Sequence, residues 1–364
     1  MAIEGQGVVS RRAGEPALME DIVLDPPGPG EALVRIQASG VCHTDLHYKL
    51  GKIGEEFPYL LGHEGAGIVE QIGEGVDTLS VGDYVVLAWR APCGRCRFCA
   101  AGRPHLCAAS LNAGPRMRTK KDGLTLSPSI GIGTFCTHTV VSAKQAVLVP
   151  PECPPEQACL IGCGVMTGVG AVLYTAGVGR GSSVAVFGCG GVGCSVIQGA
   201  RLARAGRIIG VDIAQNKLDW AREFGATDTV DASKTDPVEA IKGMTDGNGV
   251  NFVFEAVGTP ETLLQSLWSR DLAGTAVLIG VPDPQMVMEL PIQRFFGLGG
   301  ALRVSWYGDC LPSRDFPLLA NWYLSGDLDL DRMVTRVIGL DETEEAFAAM
   351  ERGETLRSVI RFPD

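Results

Sequence analysis

The sequence has 364 residues, of which 46% are apolar and 20% charged, and its formal net charge is −11. A chain of this length exceeds one ordinary hydrophobic core, so two domains are the default expectation. The excess of acidic residues, without a long basic stripe, excludes nucleic acid and anionic membranes as favoured partners.

Targeting signals are not evident in the sequence. The first residues, MAIEGQGVVSRRAGE, lack the basic and then apolar pattern of a signal peptide. Glycines interrupt the most apolar stretches, so we expect no run that approaches the roughly 20 residues needed to cross a bilayer. Twelve cysteines without an export signal favour metal binding or buried thiols over disulfides. The sequence therefore predicts a cytoplasmic protein.

The first part of the chain predicts short strands separated by turns. The segments EALVRIQASG, GAGIVEQIG and DYVVLAW are apolar or alternating, and the turn formers PPGPG, GEGVD and VGD interrupt them. This pattern is typical of an antiparallel, barrel-like β domain.

From about residue 181, predicted strands alternate with predicted helices. The strands are SSVAVFG, RIIGVD, NFVFEAVG and TAVLIGV, and the helices are VGCSVIQGARLARA, AQNKLDWAREFG and GTPETLLQSLW. Thr259 and Pro260 suit the cap and first position of the last helix, and Gly225 suits the end of the second. The alternation predicts a parallel, doubly wound sheet.

After ALRVSWYG, the last predicted strand of that sheet, the pattern loosens. DETEEAFAAMERG predicts a helix with Asp341 and Glu344 as a capping box and Gly353 past its end, and LRSVIRF predicts a strand. The exposed sheet edge at ALRVSWYG predicts pairing with a second copy, in a dimer or a tetramer. The predicted parts are a β-rich domain at 1–164, a nucleotide-binding domain at 165–306 and a segment returning to the β-rich domain at 307–364.

The loop CGRCRFCAAGRPHLC predicts a closed metal site. Four thiolates from one loop can complete a tetrahedral zinc site; they belong to Cys93, Cys96, Cys99 and Cys107. Reduced buried thiols are one alternative, although the loop is rich in arginine. An iron–sulfur cluster, which also uses four cysteines, is another. The regular spacing favours structural zinc.

The stretch GVCHTDLH and two later segments predict a second, open metal site. Its ligands would be Cys42, His63 from LLGHEGAG and Cys163 from LIGCGVMTG. Two thiolates and one imidazole leave a fourth position for water or substrate, as in catalytic zinc sites. Each residue alone would be interpreted as part of the core. Their combination favours the metal site.

Polar neighbours of these ligands suit the same chemistry. Asp45 could orient a ligand histidine, and the hydroxyl of Thr44 and the imidazole of His47 could pass a proton to water. His43 fits either a surface histidine or a phosphate contact.

The segment VAVFGCGGVG carries the G-x-G-x-x-G fingerprint between a predicted strand and a predicted helix, which is the context of a dinucleotide site. Asp212 follows about 20 residues later, at the end of the next strand. Its carboxylate would bind the adenosine ribose and repel a 2′-phosphate, which favours NAD over NADP. Capping of the next helix is the alternative role for Asp212. The fingerprint residues are Gly188, Gly190, Gly191, Val192 and Gly193.

Together these stretches resemble the zinc-containing medium-chain alcohol dehydrogenases from end to end. The resemblance implies an α/β plus β architecture, with a GroES-like catalytic domain split between the two ends of the chain and a Rossmann domain that binds NAD. It also implies two zinc ions per subunit, one catalytic and one structural.

The resemblance assigns roles to single residues. The residue matching Glu64 lies behind the catalytic zinc and can ligate it transiently. Thr44 and His47 match a proton relay that passes through the nicotinamide ribose. The implied cofactor contacts are His43 and Arg357 to the pyrophosphate, Lys217 to the adenosine ribose and Thr167 to the nicotinamide.

Within the family, the chain most resembles the mycothiol-dependent formaldehyde dehydrogenases. The likeness lies in GVCHTDLHYKLGKIGEEFPYLLGHE, GCGVMTGVGA, SRDLAGTAVLIGVP and SWYGDCLPSRDFP. It implies oxidation of S-(hydroxymethyl)mycothiol, the adduct of formaldehyde with mycothiol. The loop at 108–134 would then form part of the substrate entrance. Its cations either meet the thiol or form a solvated charge run; they are Arg116, Arg118, Lys120 and Lys121.

Two other functions fit the same sequence. One is a general NAD-dependent dehydrogenase of primary alcohols and aldehydes. The other is a non-catalytic sensor of NAD or redox state, against which the open zinc position argues, because a sensor has no need of one.

Overall fold

The computed structural model describes residues 2–363 and contains two compact units. One unit comprises the chain up to Cys163 together with the residues from Leu311 onward. The other unit is Gly164–Cys310.

The N-terminal part of the first unit is built mainly of short strands, as the breaker-rich sequence predicts. The strands are β1 (Ile3–Ser10), β2 (Leu18–Leu24), β3 (Glu31–Gly40), β4 (Tyr59–Leu60), β5 (Glu64–Ile72), β6 (Tyr84–Leu87), β7 (Met117–Thr119), β8 (Ser127–Pro128), β9 (His138–Ser142) and β10 (Ala146–Leu148). The helices are α1 (His43–Lys49), α2 (Arg97–Ala100) and α3 (Pro155–Leu160).

The second unit alternates helices and strands. The helices are α4 (Met166–Gly170), α5 (Gly191–Leu202), α6 (Gln215–Glu223), α7 (Pro237–Met244), α8 (Pro260–Trp268) and α9 (Ile292–Leu298). The strands are β11 (Ser183–Phe187), β12 (Arg207–Asp212), β13 (Asp228–Asp231), β14 (Val250–Glu255), β15 (Arg270–Leu278) and β16 (Ala301–Val304). The predicted cap of α8 is confirmed, since the Thr259 hydroxyl accepts a hydrogen bond from the Thr262 N–H at 3.2 Å. Gly225 follows the end of α6 with φ +114°, as predicted.

The C-terminal part of the chain contains α10 (Pro312–Leu324), β17 (Val334–Ile338), α11 (Thr343–Glu351) and β18 (Arg357–Arg361). The predicted capping box of Asp341 and Glu344 is wrong. A 3₁₀ turn at Leu340–Glu342 precedes α11, and Glu342 accepts from the Gly339 N–H at 2.8 Å. Glu344 instead forms an ion pair with Lys49 of α1, so a tertiary contact outweighs the local cap.

Within residues 2–363 the strands form three sheets. The second unit contains a parallel sheet in the order β13-β12-β11-β14-β15-β16, which confirms the predicted doubly wound architecture. The first unit contains the order β7-β2-β1-β4-β8 and the order β10-β6-β5-β3-β18-β17, with β9 also paired to β3. The C-terminal strand β18 therefore lies directly beside β3, near the start of the chain.

One helical stretch corrects the expectation that no apolar run is long enough to cross a membrane. Residues Pro155–Ala176 form 22 helical residues that are long and apolar enough by composition. The stretch joins α3 and α4 through a π-helical turn at Ile161–Val165. However, 78% of its apolar window is buried within the protein, which is the usual situation of a core helix.

Candidate metal centre and cofactor site

Four metal-binding side chains meet in the first unit. Single donor atoms of Cys42, His63, Glu64 and Cys163 all lie within 4.8 Å of one another. Cys42 follows β3, and Glu64 begins β5; the antiparallel register of these strands places Gly40 opposite Glu64. Cys163 comes from the π-helical turn after α3, a type of irregularity that is frequent at functional sites. Residues far apart in the sequence thus form one donor cluster, which we call the open cluster.

Asp45 ties two members of the open cluster together. Its Oδ1 lies 2.8 Å from His63 Nδ1 and also accepts the Gly62 N–H at 3.0 Å. Its Oδ2 accepts the Cys42 N–H at 3.2 Å. A carboxylate on Nδ1 leaves the lone pair of Nε2 as the metal donor.

The donor chemistry of the open cluster fits zinc. His63 Nε2 is buried and has no hydrogen-bond partner among the described residues. Neither carboxylate oxygen of Glu64 has a hydrogen-bond partner there either, although Oε1 lies in an ion pair with Arg357. Buried polar atoms without partners are rare and usually have a functional reason. Two thiols and one imidazole are the ligand types of catalytic zinc, with Glu64 as a further oxygen donor.

Charges inside the open cluster depend on one another. A hydrogen bond from the Cys163 thiol and the neighbouring His63 lower the pKa of Cys42 well below its usual value. Burial raises the pKa of Glu64 to about 7, although Arg357 opposes this rise. A thiolate is thus favoured at Cys42, and thiolates are the form of cysteine that binds metal.

Arg357 occupies a position that the sequence did not predict. Its side chain is 95% buried, and its Nη2 lies 3.2 Å from Glu64 Oε1 in an ion pair without hydrogen-bond geometry. Its Nη1 donates to the Val41 carbonyl at 3.3 Å. The structure thus gives Arg357 a carboxylate partner within the open cluster, Glu64, in addition to the pyrophosphate contact that the resemblance implied. No sequence spacing links residues 64 and 357, so only the pairing of β18 with β3 could have found this contact.

Helix α1 carries the proposed proton relay. Thr44 and His47 are both half-buried and stand three residues apart, so they share one face of the helix. His43, the first residue of α1, is exposed. The relay residues thus begin two positions after the ligand Cys42.

The second donor cluster is the predicted four-cysteine lobe. The sulfur atoms of Cys93, Cys96, Cys99 and Cys107 lie within 4.8 Å of one another. The Cys93 sulfur accepts the Cys96 N–H at 3.3 Å, and the Cys107 sulfur accepts the Cys93 N–H at 3.3 Å. Backbone hydrogen bonds from Cys99 and Ala108 lower the pKa of Cys96 to about 6. All twelve cysteines lie in the described part of the chain and are free thiols, so the lobe fits a tetrahedral zinc ion.

In the second unit, the glycine fingerprint forms a strand–turn–helix junction. Gly188 follows β11 with φ +87°, and Gly191 and Val192 begin α5. A Cβ on Gly193 would lie 1.8 Å from the Gly188 carbonyl oxygen, so helix and turn require glycine there. A Cβ on Gly190 would meet no described atom within 4 Å, which leaves this backbone open to a ligand. The helix start and the open backbone suit a pyrophosphate.

Asp212 at the end of β12 holds the fingerprint turn. Its Oδ2 accepts the Cys189 N–H at 2.9 Å, and its Oδ1 accepts the N–H groups of Ile213 at 2.8 Å and Ala214 at 3.1 Å. A carboxylate has about four acceptor sites, so capacity for a ribose hydroxyl remains. Lys217 in α6 and Thr167 in α4 are half-buried in the same unit.

The cations of the loop at 108–134 are engaged within the protein. Arg116 pairs with Glu31 at 2.9 Å, Arg118 with Asp25 at 2.8 Å and Lys120 with Glu4 at 2.7 Å. These pairs attach β7 to neighbouring segments, and β7 also pairs with β2. The geometry favours a charged face with local partners over a free cationic surface.

Known protein families and relatives match this chain over most of its length. Residues 28–151 match the family described as alcohol dehydrogenase GroES-like domain, and residues 191–325 match the family described as zinc-binding dehydrogenase. A relative from Escherichia coli O139:H28 (strain E24377A / ETEC), S-(hydroxymethyl)glutathione dehydrogenase, is 37% identical over 99% of this chain and 100% of its own length.

Two solved structures are similar over the whole chain. An alcohol dehydrogenase zinc-binding domain protein from Burkholderia ambifaria is 34% identical, with a TM-score of 0.95 and complete coverage of both chains. Benzyl alcohol dehydrogenase from Acinetobacter calcoaceticus is 30% identical, with a TM-score of 0.92 over 99% of this chain and 100% of that one. These findings confirm the predicted GroES-like and Rossmann-like fold, and zinc and NAD are the cofactors of this fold family. The chain is an oxidoreductase that belongs to the zinc-containing medium-chain alcohol dehydrogenase family.

Proposed function

We propose that this dehydrogenase oxidises S-(hydroxymethyl)mycothiol, the hemithioacetal of formaldehyde and mycothiol, and transfers hydride to NAD. The observation that carries the proposal is the open cluster, in which Asp45 holds His63 and leaves its Nε2 without a partner among the described residues. A relative named S-(hydroxymethyl)glutathione dehydrogenase, 37% identical, supports a hemithioacetal as the substrate class.

The first unit would carry the chemistry. Zinc held by Cys42, His63 and Cys163 supplies, when bound, the Lewis acidity that lowers the pKa of a substrate hydroxyl. Thr44 would take up the hydroxyl proton while its own hydroxyl proton moves on, and His47 would release a proton to water at the far end of the relay. Glu64 would be a transient fourth protein donor, and Asp45 would keep His63 in its binding orientation. The four-cysteine lobe would hold the structural zinc.

The second unit would bind NAD. We assign the pyrophosphate to the fingerprint turn and the start of α5, and the adenosine ribose to Asp212 and Lys217. Thr167 would contact the nicotinamide, and His43 and Arg357 would contact the pyrophosphate. Residues 1–164 and 307–364 would be the catalytic domain, residues 165–306 the NAD-binding domain, and the cytoplasm the compartment.

A general NAD-dependent primary alcohol dehydrogenase is the second candidate, and two observations favour it. Arg116, Arg118 and Lys120 are paired with carboxylates, so they do not offer free charge to a large thiol. A structural neighbour over the whole chain is named benzyl alcohol dehydrogenase.

We also propose that the protein is a homo-oligomer, either a dimer or a tetramer. Strand β16 is the last strand of the parallel sheet in the second unit. Its Val304 is 61% exposed, and an apolar edge strand invites pairing with a copy of itself across a two-fold axis.

The deciding experiment measures NADH formation by the zinc-loaded enzyme. Formaldehyde is offered with mycothiol, with glutathione or with no thiol, beside a panel of primary alcohols that includes benzyl alcohol. Activity that requires mycothiol supports the proposal, and activity that requires glutathione shifts the substrate to that thiol. Turnover of simple alcohols without a thiol supports the second candidate. NADH formation from none of these substrates would refute both.

A further inference from the structure

Glu255 is a fully buried carboxylate that belongs neither to the donor clusters nor to the glycine fingerprint. It is the last residue of β14 and has 0% of its surface exposed. Glutamate is almost never fully buried unless its oxygens are partnered, and here Oε1 has partners whereas Oε2 has no hydrogen-bond partner among the described residues. Oε1 accepts the Val257 N–H at 2.9 Å, the Gly258 N–H at 2.8 Å and the Thr262 hydroxyl at 2.8 Å. The side chain thereby fixes the turn that follows β14 and the start of α8.

The backbone of Glu255 fixes a second turn. Its carbonyl oxygen accepts the Ile279 N–H at 2.8 Å and the Gly280 N–H at 2.9 Å. These residues directly follow β15. One residue thus holds the carboxyl ends of two neighbouring parallel strands.

The turn after β14 packs against the glycine fingerprint on one side and against the turn after β15 on the other. A Cβ on Gly188 would lie 2.7 Å from the Val257 side chain, and a Cβ on Gly280 would lie 2.4 Å from the Gly258 nitrogen. The turns after β11, β14 and β15 are therefore packed in succession, closely enough that Gly188 and Gly280 have no space for a side chain. A shift of the Val257–Gly258 turn would move its neighbours.

The strand order indicates which half of a dinucleotide these turns would meet. Asp212, the proposed ribose ligand, ends β12 on one side of β11, whereas β14 and β15 lie on the other side. A dinucleotide binds across the carboxyl ends of the strands with its pyrophosphate at the fingerprint. If the adenosine half lies over β12, the other half lies over β14 and β15.

We propose that Glu255 is a positioning residue for the nicotinamide half of NAD. It acts through the Val257–Gly258 and Ile279–Gly280 turns, whose N–H groups it holds with its carboxylate and its carbonyl. The inference rests on the proposed NAD site in this unit, and it adds a residue that the fingerprint does not include.

The test compares binding of NADH with binding of AMP, a probe of the adenosine half alone. Glu255→Ala removes the acceptor of three hydrogen bonds, so we expect the Kd of NADH to rise about tenfold or more. The Kd of AMP should stay at the wild-type value. In steady-state assays the loss should fall mainly on the KM for NAD. Glu255→Gln keeps an acceptor oxygen and should retain most of the NADH affinity. Glu261→Gln, an exposed change on the neighbouring helix α8, is the matched control.

Glu255→Asp covers the case in which the alanine variant does not fold. It keeps the charge but withdraws the oxygens by one methylene, so NADH binding should again weaken while AMP binding persists. Unchanged NADH affinity in both variants, or equal losses for NADH and AMP, would overturn the positioning role. A wild-type enzyme that binds AMP and NADH equally weakly would refute the proposed NAD site itself, which is a distinguishable result.

Discussion

At the scale of single residues, Asp45 connects two of the proposed zinc ligands. It is fully buried and contacts the backbone of one proposed ligand and the side chain of another. Asp45→Asn should leave the His63 ring less firmly oriented, and such changes beside a metal ligand typically cost about 10–100-fold in affinity. Zinc titration of the metal-free protein should show that loss at one site only. Asp25→Asn, on the surface of the same unit, should change neither site; equal losses from both variants would contradict the assignment.

The proposed ligands allow a direct test by substitution. Cys42→Ser replaces a thiolate donor with a weakly binding hydroxyl, so turnover should be abolished and one zinc per subunit lost, while NADH binding survives. The control is Cys136→Ser, because Cys136 is also buried but its thiol lies within donating distance of the Gly133 and His138 carbonyls and near no donor cluster. Metal analysis beside the activity assay checks both variants. Full activity of Cys42→Ser would contradict the assignment of Cys42 as a ligand of the catalytic zinc.

The residue patterns indicated the donor types but not the arrangement of their partners. Cysteine and histidine in the segments around 42, 63 and 163 suggested a metal cluster, and the structure brings their donor atoms together. The burial of Arg357 against Glu64 carried no local signal, because it depends on strand pairing between distant segments. The hydrogen bond from the Cys189 N–H to the Asp212 carboxylate likewise had no signal in the spacing, whereas the contacts toward the next helix match the capping role that the sequence allowed.

At the scale of elements, α1 is fastened at its far end by the C-terminal helix α11. Lys49 Nζ lies 2.6 Å from Glu344 Oε2, and Glu344 Oε1 accepts the Ala17 N–H at 2.9 Å. Lys49→Met should lower the free energy of unfolding by about 0.5 kcal/mol, because Lys49 is mostly buried but Glu344 is partly exposed to solvent. Urea unfolding measures the change. Lys52→Met, just beyond the helix and exposed, should be near neutral; a loss as large as that of Lys49→Met would argue against the ion pair as the cause.

The four-cysteine lobe is attached to the end of β6 through its own C-terminal residues. Arg90 donates to the Cys107 carbonyl at 2.6 Å, and Asn112 accepts the Ala91 N–H and donates to the Trp89 carbonyl, both at 2.9 Å. Cys99→Ala should therefore release one zinc and open the lobe to proteolytic cleavage while the open cluster keeps its metal. Mass mapping of the fragments after limited digestion checks the site. A lobe that resists cleavage in the zinc-depleted variant would contradict the proposal that zinc holds the lobe together.

Strands were predicted better than helices, for a physical reason. EALVRIQASG and RIIGVD coincide with β3 and β12, because alternating or continuous apolar runs between turn formers leave few other choices. The stretch Pro155–Ala176 was missed because its glycines lower helix propensity. A Cβ on Gly168 would lie 2.6 Å from the Val192 carbonyl, so close packing against α5 requires the glycine and overrides propensity. Helix α10 was hidden by Pro317 in its interior.

At the scale of the whole molecule, the exposed edge of the parallel sheet allows a test of the proposed oligomer. Val304→Lys places a charge on the β16 edge, where residue 304 is 61% exposed, and should shift the protein toward monomers. Val337→Lys is a matched control, because Val337 is 55% exposed on β17, an edge strand of the first unit. Sedimentation velocity distinguishes the species. An unchanged oligomer in the first variant, or dissociation in both, would rule out β16 as the interface.

The position of β18 between β3 and β17 has a consequence for biosynthesis. The strand that brings Arg357 to Glu64 is made only after residues 164–310 have left the ribosome, although its partner β3 is made near the start. At roughly 5–20 residues per second, that interval is roughly 15–60 s. During this time the end of β3 at Ala38–Gly40 lacks its β18 partner, although β9 can already pair with Glu31–Arg35, and Glu64 lacks its arginine. The Rossmann unit by then has all of its strands. The second unit can therefore fold before the first unit, which still lacks β18. We expect a chaperone to bind the uncovered part of β3 during that time.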